Sequence, residues 1–319
     1  CLLKAVTMQR SVPSAGIRAA TRQRRWSSLS ITTLYVALLC ISVIFSASPR
    51  TGVFHQKPVI NGNYARMTSP RMTSPGSIAL PPVLFDEVQL VHSVFGFVYL
   101  QLVNEAYINM TLSWSCNVKR FHVLEKTVFI ATDMVSYQAL SAHVPHAVLL
   151  ERNRSLDLSY GQAAYFEFMS FRSKIIEELL YRGINIWLVE SDSVWFADPL
   201  PYLRDIHDMD VIAGQDGILS ESIPEGGFIF LNATTKTKVM WSDLRRQHER
   251  ALEDMSGADN IGDAGSEMLM LPDHLKKLRW AFFPKHRFVS GLWYTNNDMQ
   301  ASSKPVIVQN NWIIGNREK

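Results

Sequence analysis

The stretch that most constrains this chain runs from Leu179 to Leu200. Leu179, Leu180 and Tyr181 read as the end of a helix, and Gly183 reads as its stop, since glycine adopts the left-handed backbone that closes helices. From Ile184 to Val189 an apolar run follows without polar alternation, which predicts a strand covered on both faces, as in a parallel sheet. Glu190 and Asp192 come directly after it. In open α/β sheets ligands bind beyond the carboxyl ends of the strands, and hard carboxylate oxygens placed there suit a divalent cation carrying a diphosphate. The same residues also read as an acidic loop, with Asp198 capping a helix that has Pro199 at its first position.

The surrounding pattern supports an α/β domain. Apolar residues recur at helical spacing from Val88 through Leu102 and again from Ala106 to Leu112, which predicts helix there. The first predicted strand is Thr127–Ala131, followed by a helix over Met134–His143, a strand at Ala147–Leu150 and a helix from Ala163 to Arg182. Strand, helix, strand, helix, strand is the doubly wound order and implies a mostly parallel sheet. Further strands are predicted at Val211–Gly214, Gly226–Asn232, Leu278–Phe283 and Val306–Val308, with a polar helix over Thr234–Met255 and a short one over Glu267–Leu271, stopped by Pro272.

Charge and hydropathy divide the N-terminal part. Residues 1–28 hold six basic residues and no acid, which leaves 26 basic against 29 acidic residues downstream. No basic patch of the kind that binds nucleic acid is present. The uncharged run Leu29–Ala47 is long enough to span a bilayer, and Arg22, Arg24 and Arg25 before it predict a cytosolic N-terminus and a lumenal remainder. A cleaved signal peptide is the competing reading, with Ser46-Ala47-Ser48 near the cut. Residues 48–83, rich in Ser, Pro and Thr with a duplicated Arg-Met-Thr-Ser-Pro, read as a disordered stem, and 84–319 as the lumenal domain. The chain starts at Cys1 and stops at Lys319 directly after a motif-like segment, and so reads as incomplete at one or both ends. Three cysteines are too few for a disulfide-stapled module, and Cys116 reads as a small buried hydrophobe. Sequons at Asn109, Asn153 and Asn232 predict exposed N-glycosylated asparagines in that location.

The apolar strand, Glu190-Ser191-Asp192, Trp195 and Asp198-Pro199 together resemble the nucleotide-diphospho-sugar transferase family that includes plant cell-wall xylosyltransferases. The likeness runs over roughly residues 107–318, including Trp114-Ser115-Cys116-Asn117, Gly226-Gly227-Phe228 and Asn310–Gly315. It implies a Rossmann-like domain of the GT-A type, retaining chemistry, a UDP-sugar donor, a glycan or glycoprotein acceptor, Mn²⁺ or Mg²⁺, and a Golgi membrane location. The resemblance also assigns roles. Glu190, Asp192 and Gln309 would ligate the cation. Ala131-Thr132-Asp133, Lys174, Gly226, Gly227, Asn310, Asn311 and Gly315 would line the nucleotide sugar, and Asp263 and Glu267 would lie near the reacting carbon.

Several positions depart from the family pattern or carry a structural alternative. Glu190 stands where the family has Asp, and Gln309 where it has a His that completes the metal site; His286 is a candidate substitute. Asp263 and Ser266-Glu267 stand in the region of the family's Asp-Gln pair, and Asp263 also reads as a turn residue. Asp133 also reads as a helix cap, and Lys174 as a solvated lysine. These departures support a second reading, a catalytically inactive membrane-anchored nucleotide-sugar or glycan-binding protein on the same fold. A glycosidase dyad is disfavoured by spacing, because two carboxylates separated by one residue at a strand end sit on the same side, too close together to flank a glycosidic bond.

Overall fold

The computed structural model describes residues 80–152, 163–203, 208–216, 223–254 and 276–310. Helix α1 spans Pro82–Phe95, with proline in its first turn and Gly96 at φ +77 closing it. It begins inside the stretch read as stem, and Leu80 is already buried. Beyond Gly96 the chain turns into strand β1, Val98–Val103, where the sequence pattern predicted continued helix. Then come α2 (Ile108–Val118), β2 (Thr127–Ala131), α3 (Met134–Ser141), β3 (Ala147–Leu149), α4 (Ala163–Tyr181), β4 (Ile186–Leu188) and β5 (Ser193–Trp195). The remainder is β6 (Val211–Asp216), β7 (Ile223–Leu231), α5 (Thr235–Asp254), β8 (Trp280–Phe282), β9 (Phe288–Ser290), α6 (Asn297–Ser302) and β10 (Ile307–Gln309).

Seven strands form the main sheet in the order β3-β2-β1-β4-β7-β6-β8, and only β7 runs against its neighbours. The expected mostly parallel α/β sheet is therefore present, with an additional strand, β1, between β2 and β4. Alternation along β1 divides two cores. Val98 and Leu100 point to one face with Ile175, Ile176, Leu179 and Leu180 of α4, Trp241 of α5, and Leu84 and Val88 of α1. Phe97, Tyr99 and Val103 point to the other, an aromatic core with Trp114 of α2, Trp187, Trp195, Phe228 and Phe283. Trp187 stacks on Phe283 at 5.1 Å between ring centroids, and Trp114 meets Trp195 edge-on at 5.7 Å.

A second sheet, β5-β10-β9, adjoins the acidic loop. Strand β10 pairs antiparallel with β5, so that Gln309 lies opposite Ser193, and parallel with β9, so that Gln309 lies beside Ser290. Cys116 is exposed on α2 rather than buried, because Thr111, Trp114, Ser115 and Val118 form the inward face of that helix. Among the described residues no helix is long and apolar enough to cross a membrane, and the stretch Leu29–Ala47 lies outside them.

Candidate active site

Gly183, at φ +84, ends α4, and β4 then carries the chain to the carboxyl edge of the main sheet, beside the ends of β1 and β2. The turn that follows is fastened by one hydroxyl. Ser193 Oγ donates to the Glu190 carbonyl at 2.9 Å and accepts the indole N–H groups of Trp114 at 3.1 Å and Trp195 at 3.0 Å. Asn117 of α2 pairs with the Trp195 backbone through both halves of its amide, at 2.8 and 3.0 Å, as a neighbouring strand would. Asn310 N–H donates to the Asp192 carbonyl at 3.2 Å. The two acids are thus presented from a rigid loop.

Their side chains meet three groups from distant parts of the chain. Gln309 Nε2 donates to Glu190 Oε2 at 3.1 Å and to Asp192 Oδ1 at 3.2 Å. Arg172 of α4, 7% exposed, lies 3.3 Å from Glu190 Oε1 through Nη1. Gly227 of β7 forms the floor: a methyl group built there would stand 2.3 Å from Glu190 Cδ and 2.4 Å from each carboxylate oxygen. The longer glutamate arm fits because position 227 has no side chain. Asp192 is 8% exposed, whereas the Glu190 side chain is 40% exposed.

This grouping unites Glu190, Asp192, Gln309, Asn310 and Gly227 and leaves others aside. Lys174 is a correction: its ammonium lies 3.0 Å from Glu249 of α5, and Arg172 is the α4 cation that reaches the acids. Two residues on a helix stand about 200° apart, so Arg172 and Lys174 face opposite ways. Burial pushes the Glu249 carboxyl up, but the hydrogen bond and charge of Lys174 and the neighbouring Arg245 outweigh it and hold the group below its usual range. Sequence reasoning missed Arg172 because only the helix phase separates it from Lys174. His286 is exposed, and its backbone carbonyl accepts Lys304 N–H at 3.0 Å.

Ala131 ends β2 and Thr132 follows it, both buried; Thr132 Oγ1 donates to the Val103 carbonyl at 3.3 Å, and the carbonyls of Ala131 and Thr132 accept Leu150 N–H at 2.9 Å and Arg152 N–H at 2.8 Å. Asp133, 9% exposed, caps α3 by accepting Ser136 N–H at 2.8 Å and fixes the next loop by accepting Glu105 N–H at 2.8 Å. Asp133→Ala is expected to lower unfolding free energy by about 1–2 kcal/mol, measured by urea denaturation. Asp263, Glu267, Asn311, Gly315 and Asn153 lie outside the described residues. Asn109 is exposed, but Asn232 corrects the sequon reading: it is 8% exposed and its amide N–H donates to the Met209 carbonyl.

The groups that could hold a cation here are the Glu190 and Asp192 carboxylates and, on rotation of its amide, the Gln309 carbonyl. Among the described residues no three His, Cys, Asp or Glu side chains converge. Gln309 Oε1 and Asn310 Oδ1 are buried and have no hydrogen-bond partner among the described residues. Carboxylates beside unengaged amide carbonyls fit a hard divalent cation.

A family model described as nucleotide-diphospho-sugar transferase matches residues 122–319. UDP-D-xylose:L-fucose alpha-1,3-D-xylosyltransferase 1 of Arabidopsis thaliana is 26% identical over 244 residues, which cover 69% of this chain and 66% of that protein. The MGP4 xylosyltransferase of the same organism is 24% identical over 244 residues, 70% of this chain and 67% of that protein. Its beta-arabinofuranosyltransferase RAY1 is 21% identical over 246 residues, 70% of this chain and 45% of that protein. The chain thus spans about two thirds of the length of the xylosyltransferases it matches. Among solved structures, galactosyltransferase LgtC in complex with donor and acceptor sugar analogs gives a TM-score of 0.46 at 10% identity, over 67% of this chain and 87% of that one. The family match takes in β2 through β10, including the acidic loop, its glycine floor and Gln309, and on that match the chain belongs to the nucleotide-diphospho-sugar transferase family.

Proposed function

We propose that this protein is a divalent-cation-dependent glycosyltransferase that moves a sugar from a UDP-sugar to a glycan or glycoprotein acceptor, with Glu190 and Asp192 as cation ligands. The observation that carries the reading is the β5–β10 register, which brings buried Gln309 across both carboxylates at the carboxyl edge of β4. Bound there, Mn²⁺ or Mg²⁺ would supply Lewis-acid stabilisation of the departing diphosphate. The chain's own groups orient and shield. Ser193 and Asn117 hold the loop, Arg172 balances one carboxylate charge, and Gly227 allows close backbone approach. Asp133, at the adjacent strand end, is suited to a ribose hydroxyl, since each carboxylate oxygen keeps a further lone pair. Asp263 and Glu267 remain the proposed groups near the reacting carbon, and retention of configuration is proposed with them.

The test is release of UDP from a panel of UDP-sugars by the full chain, with Mn²⁺ or Mg²⁺ and with chelator. UDP-xylose enters first because the names of the matched relatives carry it. Turnover unaffected by thorough chelation would remove the cation from the proposal.

The N-terminal pattern supports a type II anchor at Leu29–Ala47 with the domain in the lumen, and a Golgi location is proposed with it. On that placement Asn109→Gln is expected to increase gel mobility by one glycan in secretory-pathway expression, whereas Asn232→Gln leaves mobility unchanged. A mobility shift from the Asn232 variant would contradict the burial of its amide.

One observation favours a second reading, a binding protein without turnover: Arg172 already holds Glu190 in an ion pair. Calorimetry with UDP and Mn²⁺ separates the two, since binding without UDP release from any donor supports the second.

A further inference from the structure

Gln309 presents two opposite chemistries from one planar amide. Its N–H₂ group lies between two carboxylates, at 3.1 Å from Glu190 Oε2 and 3.2 Å from Asp192 Oδ1. Its carbonyl oxygen is buried and has no hydrogen-bond partner among the described residues, on a residue only 3% exposed. A buried acceptor left unsatisfied is costly, and such atoms in a well-packed site call for an explanation. The neighbouring Asn310 repeats the feature, with its Oδ1 buried and unpartnered.

We infer that Gln309 is a stand-in for the cation: its N–H₂ group holds the two carboxylates together in the ion-free protein, and rotation of the same amide hands its carbonyl oxygen to an arriving ion. This rests on the cation reading above. Two like charges close together repel, and a donor between them relieves that repulsion. Without an ion the nitrogen-inward orientation is favoured, because the reverse would aim a third acceptor at two anionic oxygens. With an ion between the acids the preference inverts, since a hard cation is bound by oxygen and repelled by N–H. The exchange needs no backbone movement. Gln309 ends β10 and is held from both sides by β5 and β9, while the amide rotates about a terminal torsion with a broad profile.

Two consequences follow for ion choice. An all-oxygen set of Glu190, Asp192 and Gln309 lacks the nitrogen donor that favours transition metals, so Mg²⁺ and Mn²⁺ are bound comparably. The ion also displaces an internal hydrogen-bond donor, so its uptake is opposed by the stability of the ion-free site.

The test uses the full chain, stripped of cations with EDTA and desalted. Mg²⁺ and Mn²⁺ binding are measured by calorimetry and ion-free stability by thermal unfolding, for wild type, Gln309→Glu and Gln309→His. Wild type is expected to bind the two ions within about fivefold of one another. Gln309→Glu removes the donor and adds a third carboxylate. Its ion-free midpoint is expected to fall by about 3 °C or more, and its Mg²⁺ affinity to rise about tenfold or more. Gln309→His is expected to raise the Mn²⁺ to Mg²⁺ affinity ratio about tenfold or more. The inference is overturned if Gln309→Glu changes neither ion-free stability nor Mg²⁺ affinity, and, should that variant not fold, if Gln309→His leaves the ratio at its wild-type value. A wild-type protein that takes up neither ion overturns the cation reading itself; uptake by wild type with indifferent Gln309 variants overturns this inference alone.

Discussion

Asp192→Ala is expected to lower UDP release by about 10²- to 10³-fold, the range found when one preorganised group that stabilises developing charge is removed. Asp192 is 8% exposed, receives Gln309 Nε2 on its side chain and Asn310 N–H on its backbone, and belongs to the loop fastened by Ser193. The backbone contacts survive the substitution, so the loss falls on the site rather than on the fold. Asp192→Asn supplies the control for shape: it keeps the acceptor facing Gln309 and removes the charge. Both variants are expected to unfold within a few degrees of wild type while losing turnover, measured as UDP released at saturating donor with Mn²⁺ or Mg²⁺. Turnover within tenfold of wild type for both would remove Asp192 from the reaction.

Gly227→Ala is expected to reduce turnover by about 10²-fold, the scale associated with misplacing a site group by about 1 Å. The added methyl would lie 2.3 Å from Glu190 Cδ, well inside contact distance, so the carboxylate must leave its place beside Arg172 and Gln309. The side chain is the mobile partner in this collision, because it is 40% exposed whereas β7 is fixed between β4 and β6. Stability is therefore expected to change little. The prediction has a compensating arm. Shortening the acid with Glu190→Asp in the Gly227→Ala background removes the collision and is expected to restore about tenfold of the lost activity. A double variant no better than Gly227→Ala alone would show that the glycine serves the ligand or the strand rather than the glutamate.

These effects depend on contacts that were unequally legible in the sequence. The run Ile184–Val189 and its flanking Gly183 and Glu190 were readable because each signal is local: a glycine stop, an apolar run without alternation, then charge. Strand β1 was not readable. Its residues Val98, Tyr99 and Leu102 continue the helical phase of Val88, Val91 and Phe95, and burial on both faces leaves β1 without the polar alternation that marks a half-buried strand. Gly96 is the only local sign of the break, and one glycine inside an apolar periodic stretch is a weak signal. The three-residue strands β5 and β9 are too short to carry a period at all.

Asn232 and Cys116 show the same limit in single residues. A sequon specifies a tripeptide and says nothing of Met209, whose carbonyl takes the Asn232 amide from a separate loop. Cys116 suits a core by composition, but Trp114, Ser115 and Val118 take the inward positions of its helix and leave it outside.

The sequence alone determined the alternation of strands and helices, the acidic pair at a strand's end and the family to which the chain belongs, because all of these are written in neighbouring residues. Tertiary structure alone decided which cation faces the acids, why position 227 is glycine, and that Gln309, 117 residues beyond Asp192, bridges the pair. The physical reason is that these are contacts between side chains fixed by helix phase and strand register. A shift of one residue in either redirects every group involved.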